Sequence, residues 1–298
     1  MKISFNEEIA GALHFERPIV ALESTLISHG LPHPRNLDTA LNLEQIVRDA
    51  GAVPATIAMF DGEIYAGLSH AQLEQLATEE DIRKLSRRDL SIAAAKNMNG
   101  ATTVAATTLI AHQAGINVFA TGGIGGVHRG TGSDVSADLP ELARTPIIVV
   151  CSGAKAILDL AATREWLETN GVAVLRWKCD RVPAFYSATS DLYVDERVDS
   201  ATDVSRIADA RKDLGLSSAL LVTVPVPAEF EIAADEIELL IRGALAQAET
   251  QRVAGKDLTP FLLNELSQKS GGKTLAANIA LLENNARVAA EIAASLNY

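Results

Sequence analysis

The stretch GATTVAATTLIAHQAGINVFATGGIGGVHRG, residues 100–130, decides the fold class of this chain of 298 residues. Its first part places apolar and small side chains at helical spacing, at Val104, Thr107, Thr108, Ile110 and Ala111. The apolar run Asn117–Thr121 then predicts a strand, and a run rich in glycine follows that strand directly. A helix, a buried strand and a glycine-rich turn in this order are typical of an α/β protein.

The same alternation of apolar runs and helical segments continues on either side. Further strands are predicted over Pro18–Leu22, Thr56–Phe60, Pro146–Cys151, Val172–Trp177 and Ala219–Val224. Asp61-Gly62 predicts a tight hairpin turn, and the chain is predicted to be helical from Ala228 onward. No linker-like segment, charge block or repeat interrupts the pattern, so we predict a single domain over residues 1–298, built on a mainly parallel sheet covered by helices.

Composition excludes several classes of protein. The chain is 48% hydrophobic and 21% charged, and its formal net charge of −12 repels a polyanion, so we expect no nucleic-acid polymer as a partner. Glu7 and Glu8 stand where a signal peptide is free of acidic residues, and no uncharged apolar run approaches the ~18 residues of a membrane span. Cys151 and Cys179 form no CxxC pair. We therefore expect a cytoplasmic protein that does not associate with membranes.

Reactive or glycine-rich residues follow four of the predicted strands, where α/β proteins place their sites. The segments are 21–25, 121–130, 151–155 and 223–227. The glycine-rich one lacks the GxGxxG spacing of a dinucleotide site, because His128 occupies the third position. Its backbone amides are suited to a phosphate or sugar phosphate; the alternative is a surface loop without a ligand.

Two carboxylates follow that loop in Asp134-Val135-Ser136-Ala137-Asp138. Either aspartate could bind a hard divalent cation, which prefers oxygen ligands and keeps several waters. The alternative interpretation is that Asp138 or Ser136 caps the short helix predicted around Glu141.

Lys155 follows a strand through a Ser-Gly-Ala turn and is predicted to stand at the start of a helix through Ile157 and Leu158. A helix N-terminus and partial burial would lower its pKa and favour the free amine that attacks carbonyl groups; the alternatives are an anion-binding or a solvated lysine. Glu23 ends an apolar strand, where burial would raise its pKa into the range of a general acid, although it could merely cap or pair. Lys84 opens a basic cluster that either recognises phosphate or starts a solvated helix.

Taken in order, these segments resemble the pseudouridine-5′-phosphate glycosidase family, also called the indigoidine synthase A-like family. The resemblance covers nearly the whole chain. Its motifs are ALESTLISHGLPHPRNLDTA (21–40), KLSRRDL (84–90), the stretch 100–130, DVSADLPEL (134–142), VVCSGAKAILDL (149–160) and GGKTLAANIALLENNARVAAEIA (271–293).

The resemblance implies a three-layer α/β/α fold with a mainly parallel mixed central sheet, a homotrimer and one divalent ion per subunit, typically Mn²⁺. It implies reversible cleavage of the C–C glycosidic bond of pseudouridine 5′-phosphate, a lyase or glycosidase reaction that gives uracil and ribose 5-phosphate. By the same resemblance, Lys155 would form an imine with C1′ of the ring-opened sugar, Glu23 would donate and accept the proton, and Asp134 would bind the metal. Substrate-binding positions would be Lys84, Val104, Thr121, His128, Ser136, Ala137, Asp138 and Asn278.

The chain departs from the family pattern in one segment. Relatives commonly follow PAFY with an Arg-Ser-Ser-Gly run, whereas residues 187–191 here are Ser-Ala-Thr-Ser-Asp. The departure leaves the predicted catalytic residues unchanged. Two alternatives stay open: a sugar-phosphate-binding protein without turnover, and a related enzyme that acts on a C-glycoside with another base.

Overall fold

The computed structural model describes residues 2–130, 134–253, 255 and 258–297. The strands among these residues are β1 (Ile3–Phe5), β2 (Ile19–Glu23), β3 (Val53–Phe60), β4 (Glu63–Ala66), β5 (Arg83–Leu85), β6 (Gly100–Thr102), β7 (Val118–Ala120), β8 (Val127–His128), β9 (Ile148–Cys151), β10 (Leu158–Asp159), β11 (Ala173–Trp177), β12 (Glu196–Val198) and β13 (Leu220–Thr223). The α-helices are α1 (Glu7–His14), α2 (Arg35–Asp49), α3 (His70–Thr78), α4 (Leu90–Ala95), α5 (Val104–Gln113), α6 (Asp138–Leu142), α7 (Leu160–Thr169), α8 (Ala201–Asp213), α9 (Ala234–Thr250), α10 (Leu258–Lys269) and α11 (Lys273–Ser295).

The centre of the main sheet consists of six neighbouring parallel strands in the order β3-β2-β7-β9-β13-β11. These are the six strands that the sequence predicts, and all six predictions are confirmed. Strands covered on both faces are continuously apolar, which makes them visible in a sequence. The short strands β1 and β12 at the ends of the sheet, and the pair β5 and β6, lack such runs and were not predicted.

The sheet is mixed because β3 pairs antiparallel with both β4 and β6. Asp61 and Gly62 join β3 to β4, and their φ angles of +49° and +77° are those of a two-residue hairpin turn. The predicted hairpin is therefore confirmed. Among the described residues, no helix is both long enough and apolar enough to cross a bilayer.

Helices cover both faces of the sheet, as the three-layer prediction requires. The long helix α11 contacts β2, β7 and β9, and it packs against α2 and α8 to form one helical layer. Helix α5 contacts β2 and β7 and packs against α6 in the other layer. The core is dense with small residues, and α5 and α11 bury seven and twelve of their residues respectively.

The register of the central strands brings their carboxyl ends to one level. Leu22, Ala120, Val150, Val222 and Leu175 are aligned across five strands. The residues that follow them therefore lie along one edge of the sheet: Glu23, Thr121, Cys151, Thr223 and Arg176. This edge carries the site described next.

Candidate active site

A cavity lies at the carboxyl edge of the sheet and brings together four of the residues predicted from the sequence, Glu23, Lys84, Lys155 and Asn278. Gly122 and Gly123 of the glycine-rich loop also line it. The remaining walls come from the turn after β2, from α10, from α11 and from one aromatic ring: Thr25, Leu26, His29, Gly30, Leu31, Phe185, Thr259, Pro260, Leu263 and Leu282.

Glu23 is the last residue of β2 and is 7% exposed. Burial raises the pKa of its carboxyl group above the ordinary value, because the charged form loses its hydration. The positive charge of Lys155, the hydrogen bond donated by the Thr121 hydroxyl and the charge of Lys84 pull the pKa partly back. The predicted burial of this acid is confirmed, and its proton is retained at higher pH than that of a solvated glutamate.

Lys155 follows β9 through the predicted turn, but the prediction that it starts a helix was wrong. Helix α7 begins five residues later, at Leu160, where the Asp159 carboxylate accepts a hydrogen bond from the Ala162 N–H at 2.9 Å. Between the lysine and the helix, Leu158 and Asp159 pair with β8 instead. The lysine therefore does not stand at the N-terminus of α7, and its place in the cavity is fixed by a turn.

That turn is closed by the backbone on both sides of the lysine. The Lys155 N–H donates to the Ile124 carbonyl at 3.1 Å, and its own carbonyl accepts from the Leu158 N–H at 3.0 Å. Cys151, four residues earlier, is no rival nucleophile, because burial raises the pKa of its thiol to about 12.

The glycine-rich loop is largely buried, so the interpretation as a surface loop does not hold. A side chain at Gly123 would meet the ring of Phe185 at 2.5 Å, and one at Gly125 would meet the Ser136 hydroxyl at 2.1 Å. Several of its amides already donate within the protein, including those of Ile124, Gly125, Val127 and His128. Those amides are not available to a phosphate. Only the remaining backbone amides of the loop could contribute to the predicted phosphate site.

Asp138 ties this loop to helix α5. Its Oδ1 accepts from the Ala105 N–H at 2.9 Å and its Oδ2 accepts from the Gly125 N–H at 2.8 Å, and the side chain is buried. The carboxylate therefore caps the first turn of α5, whereas the prediction considered it as a cap of its own helix. Ser136 does accept a bond from the Asp138 N–H, at 3.3 Å.

Thr121 and the glycines after it are held from the opposite layer by Asn285 of α11. The fully buried Asn285 amide donates to the Thr121 carbonyl at 2.8 Å and to the Gly122 carbonyl at 3.3 Å. The Asn285 amide nitrogen also lies 3.2 Å from the Ser152 hydroxyl oxygen, and that hydroxyl lies 3.3 Å from Oδ1 of Asn285, so the two side chains are hydrogen-bonded to each other. This asparagine thus connects the segments that carry Thr121 and Lys155. Sequence reasoning missed it within the helical motif 271–293.

Lys84 lies on β5 and reaches the cavity from the side of β6. In the basic cluster behind it, Arg87 is anchored by an ion pair with Glu141 of α6 at 2.8 Å, whereas Arg88 is solvated, with a side chain that is 84% exposed. Glu141 is fully buried and also accepts from Arg144 and Thr145, and these donors lower the pKa of its carboxyl group despite the opposing effect of burial.

The remaining predicted residues are not among those that line the cavity. Val104 is the first residue of α5, while Ser136 and Ala137 precede α6. His128 pairs with Leu158 in the small two-stranded sheet, and its N–H donates to the Asp134 carbonyl at 2.9 Å. The glycine-rich loop and the segment 134–138, which carry most of these residues, are therefore in direct contact with each other.

Asp134 is exposed, and no group of three or more His, Cys, Asp or Glu side chains converges within the described ranges. A single carboxylate fits a hydrated ion of the Mg²⁺ or Mn²⁺ type, which is held by one protein oxygen plus waters. It does not fit a metal that is enclosed by protein ligands alone. Residues 131–133, just before Asp134, lie outside the described part of the chain.

The segment that departs from the family pattern packs over a buried arginine. Arg176, 1% exposed, donates from Nη2 to the Ala188 carbonyl at 2.6 Å. Its Nε and Nη1 atoms have no partner among the described residues, and burial lowers the pKa of the guanidinium group. Sequence reasoning noted the altered segment but not this arginine, and it also missed the cavity residues contributed by α10.

Comparisons with known proteins identify the family of the chain. A family model described as indigoidine synthase A like protein matches residues 8–295. Pseudouridine-5′-phosphate glycosidases from Geobacillus kaustophilus and Caldanaerobacter subterraneus are 52% and 50% identical to the chain, with at least 97% of each sequence covered.

Two solved structures share the fold. The prealnumycin C-glycosynthase AlnA, in complex with ribulose 5-phosphate, matches with a TM-score of 0.91 and 40% identity over 99% of this chain and 96% of its own. An indigoidine synthase A-like protein from Thermotoga maritima matches with a TM-score of 0.90 and 37% identity, over 98% of this chain and 95% of its own. The chain therefore belongs to the indigoidine synthase A-like family.

Proposed function

We propose that this protein is a pseudouridine-5′-phosphate glycosidase that interconverts pseudouridine 5′-phosphate with uracil and ribose 5-phosphate. The observation that carries the proposal is that Lys155 and Glu23 line one cavity, where the charge of the amine acts on a buried acid of raised pKa. Full-length relatives at about half identity carry the name of this activity.

A C–C glycosidic bond has no heteroatom leaving group to protonate, so the pair of carboxylates of ordinary glycosidases is insufficient. In the synthetic direction, Lys155 Nζ attacks C1 of open-chain ribose 5-phosphate, and loss of water leaves a protonated imine. Uracil C5 then bonds to that carbon while the C=N electron pair moves onto nitrogen. Loss of the C5 proton and attack of the sugar 4-hydroxyl on C1 close the ring and release the amine. Cleavage is the reverse.

Glu23 is the group proposed to carry the proton. In cleavage it protonates uracil C5 as the C1′–C5 bond breaks, and in synthesis it takes that proton back. Burial favours the protonated form, which is the form that cleavage requires. The positive charge of Lys155 acts in the opposite direction and lowers the pKa of the Glu23 carboxyl group, without outweighing burial.

The phosphate and the base are proposed to contact the remaining residues. Lys84 supplies a positive charge at the cavity, and Val104 is proposed to contact the substrate at the first turn of α5, where Asp138 already accepts from the Ala105 N–H. Ser136, Ala137 and Asp138 are proposed to bind the sugar phosphate, and Thr121, His128 and Asn278 the sugar or base.

A divalent ion, typically Mn²⁺, is proposed at Asp134, where it would offset phosphate charge and order water. We also propose a homotrimer and a cytoplasmic location, in which the two unpaired cysteines stay reduced. Analytical ultracentrifugation tests the trimer directly.

The test of the function combines turnover with trapping. Purified protein with Mn²⁺ should release uracil from pseudouridine 5′-phosphate, and borohydride with ribose 5-phosphate should leave a reduced sugar adduct on Lys155 by peptide mass spectrometry. Lys155→Arg should abolish both. Stabilisation by ribose 5-phosphate without uracil release or adduct would instead establish a binding protein.

One observation favours a second candidate. The structural relative AlnA is named a C-glycosynthase of prealnumycin, so the same fold serves C-glycosides with another aglycone. Residues 187–191 depart from the pattern expected for the pseudouridine enzymes. Uracil competing poorly with larger aromatic acceptors, in a synthesis assay with ribose 5-phosphate, would support this alternative.

A further inference from the structure

Arg129, at the end of the glycine-rich loop, has no role in the mechanism above, yet it joins three parts of the site. Its Nη2 donates to the Ala156 carbonyl at 3.0 Å, and its Nε donates to the Leu158 carbonyl at 3.3 Å. Both carbonyls belong to the turn that Lys155 opens. The third nitrogen, Nη1, donates to both carboxylate oxygens of Glu238 at 2.9 and 3.0 Å.

Backbone contacts hold the two ends of the turn, through the Lys155 N–H on the Ile124 carbonyl and the pairing of Leu158 and Asp159 with β8, and Arg129 binds the carbonyls of residues 156 and 158. The turn is closed by the Leu158 N–H on the Lys155 carbonyl, and helix α7 starts only after it. The two carbonyls that Arg129 binds lie at residues less than 10% exposed, so unpaired carbonyls there would be costly. A planar guanidinium binds two carbonyls and a carboxylate at once in a fixed geometry, which a lysine ammonium does not.

Glu238 lies on α9, and α9 packs against α10. Helix α10 supplies Thr259, Pro260 and Leu263 to the cavity wall. The ion pair is only about one-third exposed on each side, 30% for Arg129 and 36% for Glu238. Contacts therefore run without interruption from the Lys155 turn through Arg129 and Glu238 to the helices that close the cavity.

We propose that Arg129 is the positioning residue of Lys155, and that its ion pair with Glu238 links the orientation of the amine to the seating of helices α9 and α10. The inference rests on the proposed function for its consequence in catalysis. The structural part, that Arg129 orders the turn of residues 155–158, is independent of that function.

The chain offers a matched control on the same helix. Glu236 also pairs with a cation of another element, Lys273 of α11, at 3.0 Å. That pair ties α9 to the body of the protein without touching the lysine turn. Glu238→Gln and Glu236→Gln therefore each remove an ion pair that joins α9 to another part of the chain, and they differ in whether Arg129 is affected. Glu238→Gln also removes a pair with Arg242 one turn along α9, which is exposed and lies away from the lysine turn in sequence.

The experiment measures two quantities in five proteins. These are wild type, Arg129→Lys, Glu238→Gln, Glu236→Gln and the double variant that combines Arg129→Lys with Glu238→Gln. The first is the rate of borohydride-trapped adduct formation at saturating ribose 5-phosphate. The second is hydrogen exchange of the peptide that contains residues 155–158, without ligand. Circular dichroism and melting curves verify that each variant is folded.

Arg129→Lys and Glu238→Gln should trap the sugar at least about tenfold more slowly with little change in the ribose 5-phosphate concentration at half-saturation, because the amine is misdirected rather than the sugar lost. Both should exchange faster over 155–158, and Glu236→Gln should match wild type in both measurements. The double variant should be no slower than Arg129→Lys alone.

Wild-type exchange and trapping rates in folded Arg129→Lys and Glu238→Gln would overturn the inference. Equal effects of Glu236→Gln and Glu238→Gln would overturn it as well, since any loosening of α9 would then suffice. If wild type itself gives no adduct, the proposed function fails, and the exchange data still decide whether Arg129 orders the turn.

Discussion

The hydroxyl of Thr121 donates a hydrogen bond to Oε1 of Glu23, which lines the cavity, and so joins the ends of β7 and β2. The two residues are neighbours because the strands are parallel and in register, with Leu22 opposite Ala120. This bond lowers the pKa of the Glu23 carboxyl group, while burial raises it more strongly. Thr121 therefore tunes the acid on which the proposed proton transfer depends.

Thr121→Val should move the pH dependence of cleavage. Without the hydroxyl the carboxylate loses a donor, so the pKa of Glu23 rises further and the acid stays protonated to higher pH. The alkaline limb of kcat/KM for uracil release should shift upward by about half to one pH unit, the equivalent of one buried hydrogen bond. Thr121→Ser keeps the donor and should retain the wild-type profile. An unchanged limb in the valine variant would show that Glu23 does not set it.

Glu23→Gln should remove the activity. It should also become more stable relative to wild type as the pH rises. The folded-state pKa of Glu23 lies above its ordinary value, so between those two values the folded state holds a proton that the unfolded state has lost. The wild-type free energy of unfolding therefore falls over that interval, and the glutamine variant lacks this loss. Melting temperatures from pH 5 to pH 8.5 should show the two proteins diverging as the pH rises. Parallel curves would contradict the raised pKa.

Asp138→Asn tests the cap that joins α5 to the glycine-rich loop. An amide offers one acceptor oxygen where the carboxylate satisfies two backbone N–H groups, so either Ala105 or Gly125 loses its partner. We expect a loss of about 1–3 kcal/mol in the free energy of unfolding and faster hydrogen exchange in the first turn of α5. Asp134→Asn, whose side chain is exposed, serves as the stability control without divalent ions and should melt with wild type.

The sequence predicted the central strands and the meeting of Glu23 with Lys155 because both follow from one rule. Strands buried on two faces are apolar runs, and the carboxyl ends of parallel strands share an edge. The helix start at Lys155 was predicted wrongly, because hydrophobic spacing does not reveal that Leu158 and Asp159 extend to pair with β8. Contacts over long sequence distances, such as that of Asn285 with Thr121, have no local signal at all.

Two glycine substitutions should have opposite effects. An alanine methyl group at Gly125 would lie 2.1 Å from the Ser136 hydroxyl oxygen and 2.8 Å from Oδ2 of Asp138, so the loop or its partners must move. At Gly243, inside α9, the nearest heavy atom is Lys269 Nζ at 3.9 Å, an ordinary contact distance. Gly125→Ala should therefore destabilise the protein and impair turnover, whereas Gly243→Ala should stabilise it by up to about 1 kcal/mol through helix propensity. Thermal melts of both variants decide the matter, and a tolerated Gly125→Ala would show that the loop yields.

Glu141 provides the counterpart of Glu23, because the pKa of its buried carboxyl group is shifted the opposite way. Arg144, Arg87 and Thr145 donate to the carboxylate and hold the pKa below its ordinary value against the cost of burial. Its stabilising contribution is complete above the pKa of the unfolded state and is lost as the pH falls through that of the folded state. Glu141→Gln should therefore cost about 2 kcal/mol near neutral pH, measured by urea unfolding, and the difference from wild type should shrink on acidification. For Glu23→Gln the difference from wild type in the free energy of unfolding grows toward alkaline pH instead. Measuring both variants over the same pH range therefore distinguishes the ion-paired carboxylate of Glu141 from the buried acid in the cavity.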